Sequence, residues 1–411
     1  MISRRAGIAR LVRDLLIIAL ILLGWIGPGD CQPPLKVGAL IPYAGRWGDA
    51  GRECARGMLD ASRWINQQGG VYGRKLEILI INDTHQLPET IAAFRKLDEA
   101  DHVLILDVYS TDTALTLLSH IQFARIPTFV SFLPSHLANP AKYPFLFSIA
   151  PTPLDLSKIA MTFISEKSGI KARKPKVLFL GSPNYLDRHF LEEAKTHAYR
   201  IGLEIGPDIL LPDLSPSREM ASGDKTERTI PSLLEAITRY TPDYVYLSLT
   251  SKEAFSLLQE AYRLGLKARW IANMRAFDET LAPFEGIFGV QPLSPFGEGV
   301  PGMGDIEAAH RKWHPYDTHT LWYTEGWANI RVMAEVLGRS LPEEGLSREK
   351  VKESIESLRN FLTGGLIPPV TITRSDHRPS MESRILVIEG KKLVPYTPFV
   401  SIGREGKGLP E

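Results

Sequence analysis

Short aliphatic and β-branched runs alternate along most of the chain with stretches in which apolar side chains recur every third or fourth position. "LKVGALI" from Leu35 reads as a strand, and "GRECARGMLDASRWINQQ" after it as a helix with Cys54, Met58, Ser62 and Ile65 on one face. "LEILII", a helix from Ile91 to Ala100, "HVLILDV", a helix from Thr113 to Phe123 and "IPTFVSF" continue the alternation. A second set begins at Pro175 with "PKVLFLG" and runs through a helix from Leu186 to Ile201, "EIGPDILL" and a helix around Leu233 to Arg239. "DYVYLSL", a helix from Lys252 to Leu264 and "ARWIANM" complete it. Between these elements the polar stretch 213–228 reads as an exposed loop. Helices are expected again at Leu321–Gly338 and Ser347–Arg359, then strand-like "GLIPPVTI" and "SRILVIEG", and residues 401–411 read as a disordered tail.

Strand and helix alternating through short turns imply parallel sheets covered by helices on both faces. Two such sets, with late elements able to complete either, predict an α/β chain of two similar lobes joined by several crossings. Ligands of such sheets bind beyond the carboxyl ends of the strands, so facing lobes would make a cleft there and close on a hinge.

The first thirty residues differ from the rest. Arg4, Arg5, Arg10 and Arg13 precede the apolar run Leu15–Ile26, the pattern of a signal peptide over residues 1–31; an uncleaved anchor is the alternative. Cys31 stands where a lipidated cysteine would, although Asp30 before it fits that use poorly. The other cysteine, Cys54, reads as a buried thiol. A formal net charge of +1 with no basic block argues against nucleic acid as a partner.

"NQQGGVYGRKLEILIIND" (66–83) ends the first helix on Gly69-Gly70, residues suited to the left-handed backbone that closes a helix. Together with Pro42, Gly45, Trp47-Gly48, Gly57, Ile65-Asn66 and Gly73-Arg74, this segment resembles the opening of type I periplasmic solute-binding proteins of branched-chain amino-acid and amide ABC transporters. "VYSTDTA", Tyr185 after "VLFLGSPN" and "FLTGGLIPPVTITRSDHR" extend the resemblance from about Leu35 to Val394. It implies a two-lobed clamshell with three hinge crossings: lobe one over 35–149 and 293–361, lobe two over 150–292 and 362–400. It also implies an exported, extracytoplasmic monomer, tethered at its N-terminus if the anchor is kept. Such a protein would deliver a small organic ligand to an ABC permease, with neither catalysis nor cofactor. A ligand-sensing receptor on the same fold is the rival.

The resemblance carries over to single residues. Ser110 and Thr111, between a strand and a helix, would either cap that helix or receive a ligand carboxylate. Trp47 and Tyr185 match cleft aromatics of lobes one and two. Ser131, Phe132 and Ser135 lie where relatives place a second polar loop. Where amino-acid binders hold the ligand's ammonium with an acid, this chain has Met274, followed by Arg275. An ammonium buried without counter-charge is costly. The cleft therefore favours an apolar or aromatic carboxylate, with Arg275 and Arg46 able to pair with it or to stand solvated at the rim. An amino-acid binder with a relocated ammonium anchor is the alternative. His310 and His314, one helical turn apart with Asp317 and His319 beyond, could hold a metal, but no Glu sits between them as in the zinc-protease pattern and Pro315 ends the helix directly after His314, so no metal site is expected.

Overall fold

The computed structural model describes residues 32–182, 185–207, 209–211, 225–341 and 345–401, without the side chains of 185–187 and 225–229. The expected signal peptide, Cys31, most of the 213–228 loop and all of the tail but residue 401 lie outside the described residues.

The first lobe is built on five parallel strands in the order β2-β1-β3-β4-β5. These are β1 (Leu35–Ile41), β2 (Leu76–Asn82), β3 (Ile105–Val108), β4 (Thr128–Val130) and β5 (Leu146–Phe147). Val37 pairs with Ile78 on one side and Ile105 on the other, so β1 is an interior strand, and apart from Lys36 it is apolar along its length, as a strand covered on both faces must be. Between the strands run α1 (Gly48–Gln67), α2 (Leu87–Arg95), α3 (Thr111–Thr116) and α4 (Leu118–Ala124). The expected apolar face of α1 is buried, Cys54 included.

The second lobe holds α5 (Pro153–Lys167), β6 (Lys176–Gly181), α6 (Tyr185–Arg200), β7 (Glu204–Ile205), β8 (Ile209–Leu210) and α7 (Lys225–Tyr240). It continues with β9 (Tyr244–Ser248), α8 (Ser251–Arg263), β10 (Arg269–Ala272) and β11 (Phe288–Gln291). Its sheet runs β13-β12-β11-β10-β9-β6-β7, parallel from β7 to β11, with β12 (Glu382–Glu389) and β13 (Lys392–Pro395) added antiparallel. β8 also pairs with β6, and β14 (Val400–Ser401) with β12.

After β11 the chain returns to lobe one as α9 (Met303–Trp313), α10 (Leu321–Ser340) and α11 (Arg348–Glu356). α10 lies directly on α1, and two glycines make that possible. A Cβ on Gly57 would sit 2.1 Å from the Tyr323 carbonyl oxygen, and one on Gly326 1.9 Å from that of Cys54. The chain thus passes between the lobes near 148–152, 292–302 and 357–381. These connectors are tied together: Ser148 N–H donates to His377 O at 3.2 Å, Ser294 N–H to Leu366 O at 2.9 Å and Gly302 N–H to Gly364 O at 2.8 Å.

Three expectations change. "GLIPPVTI" forms no strand, only the isolated bridge Phe361–Val370, because Pro368 and Pro369 remove two donors from any ladder. Residues 225–228, expected in the polar loop, begin α7 instead. α5 was not anticipated, although Thr152 and Asp155 form a reciprocal cap in front of it and Pro153 occupies its first position.

Candidate functional site

In both sheets the strand order reverses once among the parallel strands, between β1 and β3 in lobe one and between β6 and β9 in lobe two. The crevice of an α/β sheet lies beyond the strand ends at such a reversal. Here the two crevices face each other. The segments after β1 and β3 supply Trp47, Ser110, Thr111 and Asp112, and the loop after β4 supplies Phe132. Across from them stand Tyr246, Ser248 and Leu249 from β9 and its end, and Asn273, Met274 and Arg275 after β10. Pro153, Leu156 and Phe190 close the apolar side of a cavity of about 60 Å³.

Six of the nine residues expected from the sequence therefore meet around one cavity: Trp47, Ser110, Thr111, Phe132, Met274 and Arg275. Ser110 occupies the capping position of α3, yet its side chain makes no capping hydrogen bond. The Thr111 hydroxyl donates to Phe132 O at 2.6 Å, so it fixes the β4 loop and has no proton left for a ligand. Ser131 does not line the cavity; it is buried behind it, beside Glu325. Ser135 also stands outside, its hydroxyl donating to Glu193 of α6 at 3.2 Å. Tyr185 is the first residue of α6, and its side chain lies outside the described residues.

Arg275 is not a rim residue. It is 7% exposed, and its guanidinium carbon lies 3.6 Å from the Phe132 ring centre, 4.5 Å from that of Trp47 and 4.8 Å from that of Tyr109. One of its N–H groups donates to Tyr109 O at 3.2 Å. A lobe-two cation is thus packed among three lobe-one aromatic rings, an arrangement in which ring quadrupoles stabilise the charge. Arg46 is held by an ion pair. Its Nε and Nη2 donate to the two carboxylate oxygens of Glu253 at 3.0 and 3.1 Å, across the cleft mouth. Glu253 also receives Thr250 N–H at 2.8 Å in the cap of α8, so one carboxylate fixes that helix start and joins the lobes.

Beneath the lobe-one wall lies a polar cluster that sequence reasoning missed. Glu325 of α10 and Asp107 of β3 are 4% and 1% exposed. Burial pushes both carboxyl groups up to about 7. For Glu325, Arg275 pulls downward and Asp107 pushes further up. Asp107 accepts Asn329 Nδ2–H at 3.0 Å, which pulls its own value partly back. Burial also raises the Tyr109 hydroxyl and the Cys54 thiol. The signal was present in "LWYTEGWANI", where an acid interrupts a helix that is apolar on nearly every side.

Of the histidine pair, His310 packs its ring edge-on against Phe296 and His319, and His314 has a structural role that it shares with His319. His314 pairs with Asp60 at 2.9 Å and His319 with Glu53 at 3.1 Å, holding the α9–α10 turn against α1. Among the described residues no group of three or more His, Cys, Asp or Glu side chains is arranged to hold a metal. Nor, among them, is any helix long and apolar enough to cross a membrane.

Comparison with known proteins bears on the whole chain. A family model described as periplasmic binding protein matches residues 34–392. Among curated proteins, a Leu/Ile/Val-binding protein homolog of Brucella suis is 30% identical over 104 residues, 25% of this chain; the match spans only 26% of that relative's length. Among solved structures, a branched-chain amino-acid ABC transporter protein from Thermus thermophilus with bound valine superposes with a TM-score of 0.79 at 20% identity, over 90% of this chain and 98% of that one. A fatty acid ABC transporter substrate-binding protein from Thermomonospora curvata gives 0.78 at 20% identity, over 93% and 97%. A solute-binding protein from R. palustris in complex with benzoate gives 0.73 at 16% identity, over 90% and 98%. At these identities the likeness is one of fold.

Proposed function

The chain belongs to the periplasmic binding protein family and is Leu/Ile/Val-binding-protein-like, and from that premise we propose that it is the exported solute-binding component of an ABC importer. It closes on a small organic ligand with a carboxylate head and an apolar or aromatic body. Its lobes are 35–149 with 293–361 and 150–292 with 362–400, and its partner is a membrane permease. Members of this family bind and release their ligands without covalent chemistry, so the mechanism is capture by hinge closure.

The observation that carries the ligand class is the pair Met274–Arg275. The wall where an amino-acid binder needs an acid presents a buried thioether and a buried guanidinium. An ammonium group placed there would lose its hydration and meet a like charge, a loss of several kcal/mol on transfer from water. A carboxylate placed there meets the fork of donors that suits it. Trp47, Phe132, Leu156, Phe190 and Met274 offer apolar surface to the remainder of the ligand. Benzoate, bound by one protein of the same fold, belongs to this class, and valine, bound by another, lies outside it.

Asp112 favours a second reading. It lines the cavity two residues beyond Ser110, and an amino acid bound in reversed orientation would set its ammonium there. Thermal unfolding of the ligand-stripped mature chain separates the two. Leucine is compared with its keto acid, and phenylalanine with phenylacetate. A ligand at a hundred times its dissociation constant adds about 2.7 kcal/mol, a rise of a few degrees in Tm. A rise with the acids alone supports the carboxylate reading, and a rise with the amino acids transfers the anchor to Asp112.

A further inference from the structure

The start of α10 is not capped by its own lobe. Thr320, in front of the helix, has the extended backbone of a capping residue, yet its side chain makes no capping hydrogen bond. The Thr320 hydroxyl is buried without a hydrogen-bond partner among the described residues. The first amide of the helix finds its acceptor elsewhere: Leu321 N–H donates to Glu279 Oε2 at 2.9 Å. One residue on, the Trp322 indole N–H donates to Asp278 Oδ2 at 2.6 Å. Trp322 and Asp278 are 2% and 3% exposed.

Asp278 and Glu279 stand between β10 and β11 of lobe two, whereas α10 lies on α1 of lobe one. A carboxyl group of one lobe thus satisfies an orphan N–H at the helix start of the other. Neither acid lines the cavity, but the same segment opens with three residues that do, Asn273, Met274 and Arg275. It is braced along its length. Asn273 Oδ1 accepts Ala276 N–H at 2.8 Å, and Asp278 Oδ1 accepts Thr280 N–H at 2.8 Å. Between them, Gln291 Nε2–H donates to Met274 O at 2.8 Å and to Phe277 O at 2.7 Å. A braced segment moves as one piece, so what holds Asp278 and Glu279 on α10 also holds Arg275 against Tyr109 O and the lobe-one rings.

We propose that Asp278 and Glu279 are positioning residues of the cleft: by capping α10 across the lobes in the closed form, they fix Arg275 where the ligand meets it. The inference rests on the reading of the chain as a binding protein that closes on its ligand. When the lobes part, Leu321 N–H and the Trp322 indole lose these acceptors, and the Thr320 hydroxyl takes over the first turn. Closure is therefore an exchange of caps on α10, from Thr320 to Glu279, and part of the free energy of capture arises outside the cavity.

Calorimetric titration of the stripped mature chain with phenylacetate tests it. Glu279→Ala weakens Kd about tenfold, and Trp322→Phe, which removes the matching donor from lobe one, weakens it by a similar factor. Glu279→Gln keeps an acceptor oxygen for Leu321 N–H and stays within about twofold of wild type. Thr320→Val takes the substitute cap from the open form and tightens Kd about threefold. An unchanged Kd in Glu279→Ala means that the contact persists when the lobes open, and overturns the proposal. Equal weakening by Thr320→Val and Glu279→Ala means that α10 only needs an intact start, and overturns it too. If wild type does not bind phenylacetate, the ligand class is at fault, and small-angle scattering of the ligand-free chain decides. A larger radius of gyration in Glu279→Ala than in wild type and Glu279→Gln then supports the exchange of caps, and equal radii overturn it.

Discussion

Replacing Glu325 with glutamine removes one of three carboxyl groups, with Asp107 and Glu279, that burial raises, and its consequence for stability can be worked out with its sign. In the unfolded chain the Glu325 carboxyl titrates near its ordinary 4.5; in the folded protein burial holds it at about 7. The folded value is the higher one. The favourable contribution of the bound proton is thus complete below 4.5 and is lost as pH rises through 7. Between about pH 6 and about pH 8 the unfolded chain carries no proton on this group, while the folded chain goes from almost one to almost none. With an average of about half a proton over two pH units, the loss is about 1.4 kcal/mol. Asp107, also at about 7, adds a similar share. Glu279, at about 8, adds a share that both proteins keep, so over that interval Glu325→Gln should lose about 1.4 kcal/mol less than wild type. Urea unfolding at several pH values, followed by tryptophan fluorescence, reads the slope directly. If Glu325→Gln and Asp107→Asn both keep the wild-type slope, neither group carries the proton and the reasoning fails.

Gly326→Ala places a methyl group against the Cys54 carbonyl of α1, so the helices must separate and the lobe should lose about 3 kcal/mol by urea unfolding. Gly304→Ala, on α9 where a Cβ meets nothing, should instead gain about half a kcal/mol; equal effects at the two sites would refute the packing argument. Arg46→Ala removes the bidentate contact to Glu253 across the cleft mouth and should raise the radius of gyration in small-angle scattering as open forms gain population; an unchanged profile would mean that the contact does not hold the lobes. Thr152→Ala removes the hydroxyl half of the cap on α5 and should cost about 1 kcal/mol, whereas Glu253→Ala removes the carboxylate half of the cap on α8 and releases Arg46 as well; identical behaviour of the two variants would deny Glu253 its second role.

Most of the longer strands and helices were legible because both faces of a parallel sheet are buried, which writes an apolar run into the sequence; β5, β11, β13 and β14, of two to four residues each, were not read. β9 and, apart from Lys36 and Lys176, β1 and β6 are such runs. "GLIPPVTI" has the same composition and misleads, since two prolines deny it a ladder whatever its hydropathy. Trp47, Ser110 and Phe132 could be placed in the cleft because each follows a strand end, and strand ends are where such folds gather their ligands. Arg275 was legible as a cleft residue but not as a buried one. Its surroundings, Trp47, Tyr109 and Phe132, come from three separate loops more than a hundred residues away in the chain. Arg46 could not be seen to be paired for the same reason: Glu253 reaches it only through the docking of the lobes. Glu325 did leave a trace, an acid in an apolar helix, though nothing local names its partners.

The account stands on one property of the cleft, its preference for a carboxylate over a zwitterion of the same shape. Isothermal titration of the stripped chain with phenylacetate and with phenylalanine, in one buffer near neutral pH, measures it directly. A saturable Kd for phenylacetate with binding of phenylalanine at least a hundredfold weaker, about 2.7 kcal/mol, is the expected result. Tighter binding of phenylalanine would contradict the account, because its ammonium would then have found an acid that Met274 and Arg275 do not supply.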